Sequence, residues 1–242
     1  MQFDEIVSIT KIKNNSLRYD ISVEDNHNFY ANGILVHNCQ NLKKELSEWN
    51  EQNVTWEVTE KLDGSSMTVY LKTNFYEDSI NILNQEFGVC SRNIDLKEDE
   101  NNAFWKEAIK LNLKEKLKSL GGVSVALQGE LVGEGIQGNP YNLKGVEFYL
   151  FDVFDITEQR YWHPIDEESL AKRFGLKHCP VLDTLAICNE YSIDDLLQLA
   201  EGKSVLNENV EREGVVFKSH PYNREETFSF KAISNKFLMG EK

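Results

Sequence analysis

Two short runs in this chain hold residue types that can do covalent chemistry. In Glu60-Lys61-Leu62-Asp63-Gly64-Ser65-Ser66 a lysine stands between two strand-like stretches, residues 54–59 and 67–71. A lysine at a strand end, beside a glycine turn, is held rigidly with its amine free to point into a cleft, as a covalent nucleophile must be. The plainer alternative is a hairpin with a glycine turn and a solvated lysine. In His37-Asn38-Cys39 the asparagine amide can attack its own main-chain carbonyl carbon, forming a succinimide and cutting the chain after Asn38. A neighbouring imidazole can assist as general acid or base, and a thiol just past the cut is a competent acyl acceptor. An ordinary hairpin ending in these three residues is the alternative.

Around Asn38, two short strands with a polar turn account for residues 18–36. Around Lys61 the pattern predicts further strands at 80–83, 88–93, 123–132, 146–155, 211–218 and 227–232. Residues 99–120 read as one helix, with Phe104, Ala108, Leu111 and Leu117 on one face and Gly121-Gly122 as its stop. Shorter helices fall near 166–174 and 192–200, before Gly175 and Gly202, and both read as structural. Residues 133–140 form a glycine-bearing loop that lacks the Gly-Lys-Ser/Thr of a P-loop. Phe148, Tyr149 and Phe154 are assigned to the core.

The totals bound the rest. The 242 residues allow one large domain or a domain plus a small module, and 40% hydrophobic content suits a globular core. No apolar run is long enough to span a bilayer and the N-terminus has no basic signal-peptide start, so no membrane role is expected. Cys39, Cys90, Cys179 and Cys188 are scattered with no CxxC pair. Neither zinc nor a disulfide framework is indicated, and a reducing, cytoplasmic setting is expected, for a cellular or a virus-encoded protein. Net charge is −14; of 26 basic and 40 acidic residues, three and five precede Cys39, leaving 23 and 35, a net −12, in the larger part. That argues against coating nucleic acid by bulk electrostatics and leaves room for a local basic groove.

The stretch ending at Cys39, with Tyr19-Asp20-Ile21-x-Val23, His27-Asn28-Phe29 and Gly33-x-Leu35-Val36-His37-Asn38, resembles the C-terminal end of an intein. The resemblance implies that Asn38 cyclises, that His37 and His27 assist, and that Cys39 is the first residue of the flanking protein. Residues 1–18 are too few to hold an N-terminal intein half. The expected organisation is therefore a C-terminal split-intein fragment over 1–38, splicing in trans with a partner chain, followed by a second domain over 39–242.

In that second domain, Lys61-x-Asp63-Gly64 is the signature of nucleotidyltransferases that carry a nucleotide on lysine. The order Lys61-x-Asp63-Gly64, Arg92-Asn93, Gly129-Glu130-Leu131, Phe151-Asp152, Glu213-Gly214-Val215-Val216-Phe217-Lys218, Phe230-Lys231 resembles the ATP-dependent RNA ligase 2 family. Its most diagnostic piece is Gly129-Glu130-Leu131-Val132-Gly133-x-Gly135-Ile136-Gln137, running on to Phe148-Tyr149-Leu150-Phe151-Asp152. The resemblance implies a lysyl-AMP formed on Lys61 from ATP with Mg²⁺ or Mn²⁺. It implies that Glu60 contacts the base, Glu130 the ribose and Phe151 the adenine face. Asp63 and Gly64 are also cofactor-binding, Arg92 meets phosphate or ribose, Lys218 and Lys231 bind phosphates, and Glu213 helps bind metal. The AMP would pass to an RNA 5′-phosphate, and a 3′-hydroxyl would then seal the break, as in RNA repair. Ile233 stands where many relatives have a second lysine, with Lys236 or a water as substitute, and no further domain is expected after the last motif. The competing readings are a polynucleotide adenylyltransferase or DNA ligase of the same superfamily, and an idle scaffold carrying a splicing module. The expected fold is α+β, with two antiparallel sheets around a cleft, peripheral helices and a small all-β segment at the N-terminus.

Overall fold

The computed structural model describes residues 28–31, 34–37, 55–76, 82–186, 191–220 and 229–240. The chain divides into two compact units, Met1–Lys44 and Glu45–Lys242. In the first, strands β1 (Asn28–Ala31) and β2 (Ile34–His37) pair antiparallel. His27, Asn38 and Cys39 lie outside the described residues, and of His37 only the backbone is described.

The second unit is α+β. Its larger sheet is built from β4 (Ser65–Phe75), β5 (Ile82–Ser91), β6 (Asp95–Leu96), β7 (Val125–Gly133), β8 (Val146–Asp155), β9 (Arg160–Tyr161) and β10 (Lys177–His178), in the order β10-β8-β7-β4-β5-β6 with β9 also on β8. The smaller sheet holds β3 (Thr55–Lys61), β11 (Val181–Ala186), β12 (Gly214–His220) and β13 (Ser229–Ile233), in the order β11-β3-β12-β13. Both are antiparallel as expected except at β10, which runs parallel to β8. Alternation drives this arrangement: Met67, Val69 and Leu71 of β4 are fully buried while Thr68, Tyr70 and Lys72 face the other way. They meet Leu127, Leu131, Phe148 and Leu150 in the main core. Phe148 and Tyr149 are buried as expected, whereas Phe154 is half-exposed and packs edge-on against Tyr161 at 5.1 Å.

Two expectations need correction. Residues 99–120 are not one helix but two, α1 (Ala103–Lys110) and α2 (Leu113–Lys118). The break is Asn112, whose φ of 52° places it in the left-handed region that asparagine tolerates better than most residues. Asn102 starts α1 by accepting from the N–H groups of Phe104 and Trp105. Residues 80–81 lie outside the described residues; 82–83 and 88–91, read as parts of two strands, belong to one strand, β5, because β4 extends to Phe75 and supplies a continuous partner. The later helices form close to their predicted places: α3 (Pro164–Phe174), stopped by Gly175 at φ 60°, and α4 (Ile193–Ala200), started by a Ser192–Asp195 capping box. A short α5 (Asn235–Met239) follows β13. No helix among the described residues is long and apolar enough to cross a membrane.

Candidate active site

Between the two sheets lies a cleft of about 710 Å³. Every site residue named for the larger domain lines it: Glu60, Lys61, Asp63 and Gly64 from the first motif, Arg92, Glu130, Phe151, Glu213, Lys218 and Lys231 from the others. They come from both sheets, so pairing register rather than sequence proximity assembles them.

Lys61 is the last residue of β3, and its Cα partner across the ladder is Gly214 of β12. That register sets Glu213 beside it, and Lys61 Nζ donates to Glu213 Oε1 at 2.5 Å. Gly214 must be glycine, because a Cβ there would sit 2.1 Å from the Ala232 carbonyl oxygen of β13. Gly64 answers a similar demand: its Cβ would lie 2.5 Å from the Leu131 carbonyl and 2.7 Å from Val132. The Lys61–Gly64 turn thus lies directly against β7. Its conformation is held from outside by two side chains, since the Asp63 N–H donates to the Tyr141 hydroxyl oxygen at 2.5 Å and Gln137 donates to the Gly64 carbonyl at 3.3 Å. Leu62 anchors the same turn in a small cluster with Val132, Tyr141, Tyr149 and Cys179.

Glu130 of β7 pairs in register with Ser66 and Tyr149 and faces the cleft. Burial pushes its carboxyl up to about 7; Lys61 opposes this, Glu213 and Asp63 add to it, and a hydrogen bond from the Gly64 backbone lowers it. Asp63 is likewise raised by burial, against the pull of Lys61. Three carboxyl groups thus gather around one ammonium, and burial favours the proton on two of them, Glu130 and Asp63. Glu60 is 1% exposed; one of its oxygens accepts from the Val205 N–H at 2.7 Å, and no donor among the described residues meets the other. A buried acceptor without a donor, in the wall of a cleft, is a place for a ligand N–H.

Phe151 stands at a β-bulge. The β7–β8 register runs from Gly129 opposite Leu150 to Gln128 opposite Asp152, so Phe151 is the extra residue and its side chain turns into the cleft. Arg92 and Lys231 are exposed at the rim.

Lys218 differs from expectation. It lines the cleft but is only 4% exposed, and it donates to Asp152 Oδ1 at 2.7 Å, to Glu167 Oε2 at 2.8 Å and to the Phe151 carbonyl. Burial disfavours its charge, but Asp152 and Glu167 outweigh that and hold its pKa above the ordinary lysine range. No motif in the sequence marks Tyr141 or Glu167, which stands in an ordinary helix pattern, and Gln137 falls in a motif that gives it no role of its own.

Among the described residues no group of three or more His, Cys, Asp or Glu is disposed to hold a metal alone. Glu213 in the cleft still suits a magnesium-type ion, which is held by one or two carboxylates together with substrate phosphates rather than by an all-protein cage.

Residues 54–233 match the family model described as RNA ligase. A Naegleria gruberi RNA ligase variant solved with ATP and Mn is 43% identical, covering 83% of this chain and 55% of that one, with a TM-score of 0.70. The Naegleria gruberi RNA ligase with PPi is 37% identical over 93% of this chain and 64% of that one, with a TM-score of 0.69. A further variant, with AMP and Mn, is 39% identical over 88% and 60%, also at 0.69. The chain thus spans between 55% and 64% of the length of these solved structures. No curated protein matches the sequence.

Proposed function

This chain belongs to the RNA ligase family, and on that footing we propose that it is an ATP-dependent RNA ligase working through a lysyl-AMP on Lys61. The carrying observation is the Lys61–Glu213 pair, placed in one cleft with Glu130, Phe151 and the donorless oxygen of Glu60.

In the first step the Lys61 amine, having given up its proton, attacks the α-phosphorus of ATP; an N–P bond forms, the bond to the bridging oxygen breaks and pyrophosphate leaves. Glu213 orients the amine through its 2.5 Å contact. The free oxygen of Glu60 accepts from the exocyclic amine of adenine, Phe151 stacks on the ring, and Glu130 bonds the ribose hydroxyls. Lys231 and Arg92, at the rim, meet phosphate as its charge shifts. Glu213 would help hold a divalent ion, which would supply charge neutralisation on the triphosphate. The RNA 5′-phosphate then takes the AMP from Lys61, and the RNA 3′-hydroxyl displaces AMP to leave a phosphodiester.

Residues 1–38 are a split-intein fragment acting in trans: Asn38 cyclises with help from His37 and His27, and Cys39 receives the acyl chain of the partner. What supports this is the run of matched residues ending at His37-Asn38-Cys39.

Incubation with Mg²⁺ and α-labelled ATP, read on a denaturing gel and by intact mass, tests the first step. A covalent AMP adduct that disappears in Lys61→Ala is expected. A wild-type chain that forms no adduct, even after splicing to its partner, would refute the proposal. Equal sealing of nicks bearing RNA or DNA at the 3′-hydroxyl side would remove the RNA specificity, and unchanged cleavage in Asn38→Ala would remove the splicing role.

A further inference from the structure

Three consecutive residues of β8 are engaged by side chains of other elements. At the bulge, the Phe151 carbonyl accepts from Lys218 of β12, and the Asp152 carboxylate accepts from the same ammonium at 2.7 Å. The Val153 N–H donates to Glu167 Oε1 of α3 at 3.1 Å, while Glu167 Oε2 accepts from Lys218 at 2.8 Å. Glu167 is fully buried and lies outside the cleft lining, so its contacts with β8 and β12 set its role.

A lysine ammonium has three protons, and here three acceptors take them all. Turning Lys218 toward a phosphate would strip the counter-charge from Glu167, whose carboxylate has no access to solvent, and leave it near Asp152. Breaking a buried ion pair in that way is strongly destabilising. The bulge, by contrast, needs such partners, because an inserted residue disrupts the ladder locally.

We infer that Glu167 and Lys218 are positioning residues for Phe151: together they clamp the β8 bulge so that its aromatic ring stays fixed at the cleft wall for a nucleobase, and Lys218 does not bind phosphate. The inference rests on the nucleotide-binding reading above. It also ties the two sheets together at the cleft, since Lys218 belongs to one sheet and Phe151 to the other.

The test is titration calorimetry of the full chain with AMP and, separately, with pyrophosphate, both with Mg²⁺, for the wild type and Glu167→Gln. Glutamine keeps the shape and one acceptor but sets an amide NH₂ against the second donor. The expected result is a roughly threefold to tenfold weaker Kd for AMP, the order lost when an aromatic contact is no longer held in place, with pyrophosphate binding unchanged. In a Phe151→Ala background the same substitution should have no further effect on AMP. Tighter pyrophosphate binding would mean that a freed Lys218 reaches phosphate, and would overturn the inference. An equal loss for both ligands, or no loss of AMP affinity, would overturn it as well. If the variant does not fold, Asp152→Asn removes the other carboxylate from the same ammonium and serves the same comparison. A wild-type chain that binds neither ligand would instead refute the nucleotide reading, and the clamp's role would fall with it.

Discussion

Glu130→Gln should change how the stability of the ligase-like domain depends on pH. In the folded chain burial raises the Glu130 carboxyl from its usual 4.5 to about 7. Below 4.5 the folded and unfolded chains both hold the proton. Between 4.5 and 7 only the folded chain holds it, so unfolding releases a proton and stability falls as pH rises. Above about 7 the loss is complete. At about 1.4 kcal/mol per pH unit, the gap of about 2.5 units bounds the effect at about 3 kcal/mol. Glu130 faces a water-accessible cleft, so solvent screening reduces this to roughly 1–2 kcal/mol. The substitution removes this titration. Urea unfolding followed by tryptophan fluorescence at pH 5 and pH 8 should show the variant gaining that amount on the wild type between the two pH values. Trp56 and Trp105, 0% and 5% exposed, are suitable reporters. The comparison also cancels Glu167, which both proteins retain. Wild-type and variant profiles that run parallel across this range would refute the assignment of a buried, proton-holding Glu130.

Two further substitutions probe how the Lys61 turn is held. Tyr141→Phe removes the acceptor of the Asp63 N–H and should destabilise the domain by about 1–2 kcal/mol; lysyl-AMP formation should slow with little change in the ATP concentration it requires, and single-turnover labelling would separate the two. Gly64→Ala drives a methyl into the Leu131 carbonyl and Val132, so a loss of about 1–3 kcal/mol in urea unfolding is expected, together with loss of adduct formation; wild-type stability in that variant would mean the turn is free of β7.

Much of this protein could be read in one dimension because its chemistry is concentrated in short motifs. The sequence alone determined the family resemblance and marked Lys61 as the candidate nucleophile. It also determined most strands, since alternation such as Met67-Thr68-Val69-Tyr70-Leu71 reports one buried face. Gly175 marked a helix end for a local reason, the left-handed backbone that glycine adopts readily. The break at Asn112 was less legible, because the hydrophobic spacing runs on through it and only the backbone angle of one residue differs.

What only the tertiary structure decided concerns contacts across long sequence separations. The Lys61–Glu213 pair depends on the register of β3 against β12, and register is a property of two strands together. The bulge at Phe151 exists only relative to β7. A lysine in a motif carries no sign of whether its ammonium faces a ligand or is enclosed by carboxylates, and Lys218 proved to be enclosed because Glu167, from a helix that read as purely structural, is packed against it. Local pattern reports what a residue can do; burial and partners, set by the whole fold, decide which of those things it does.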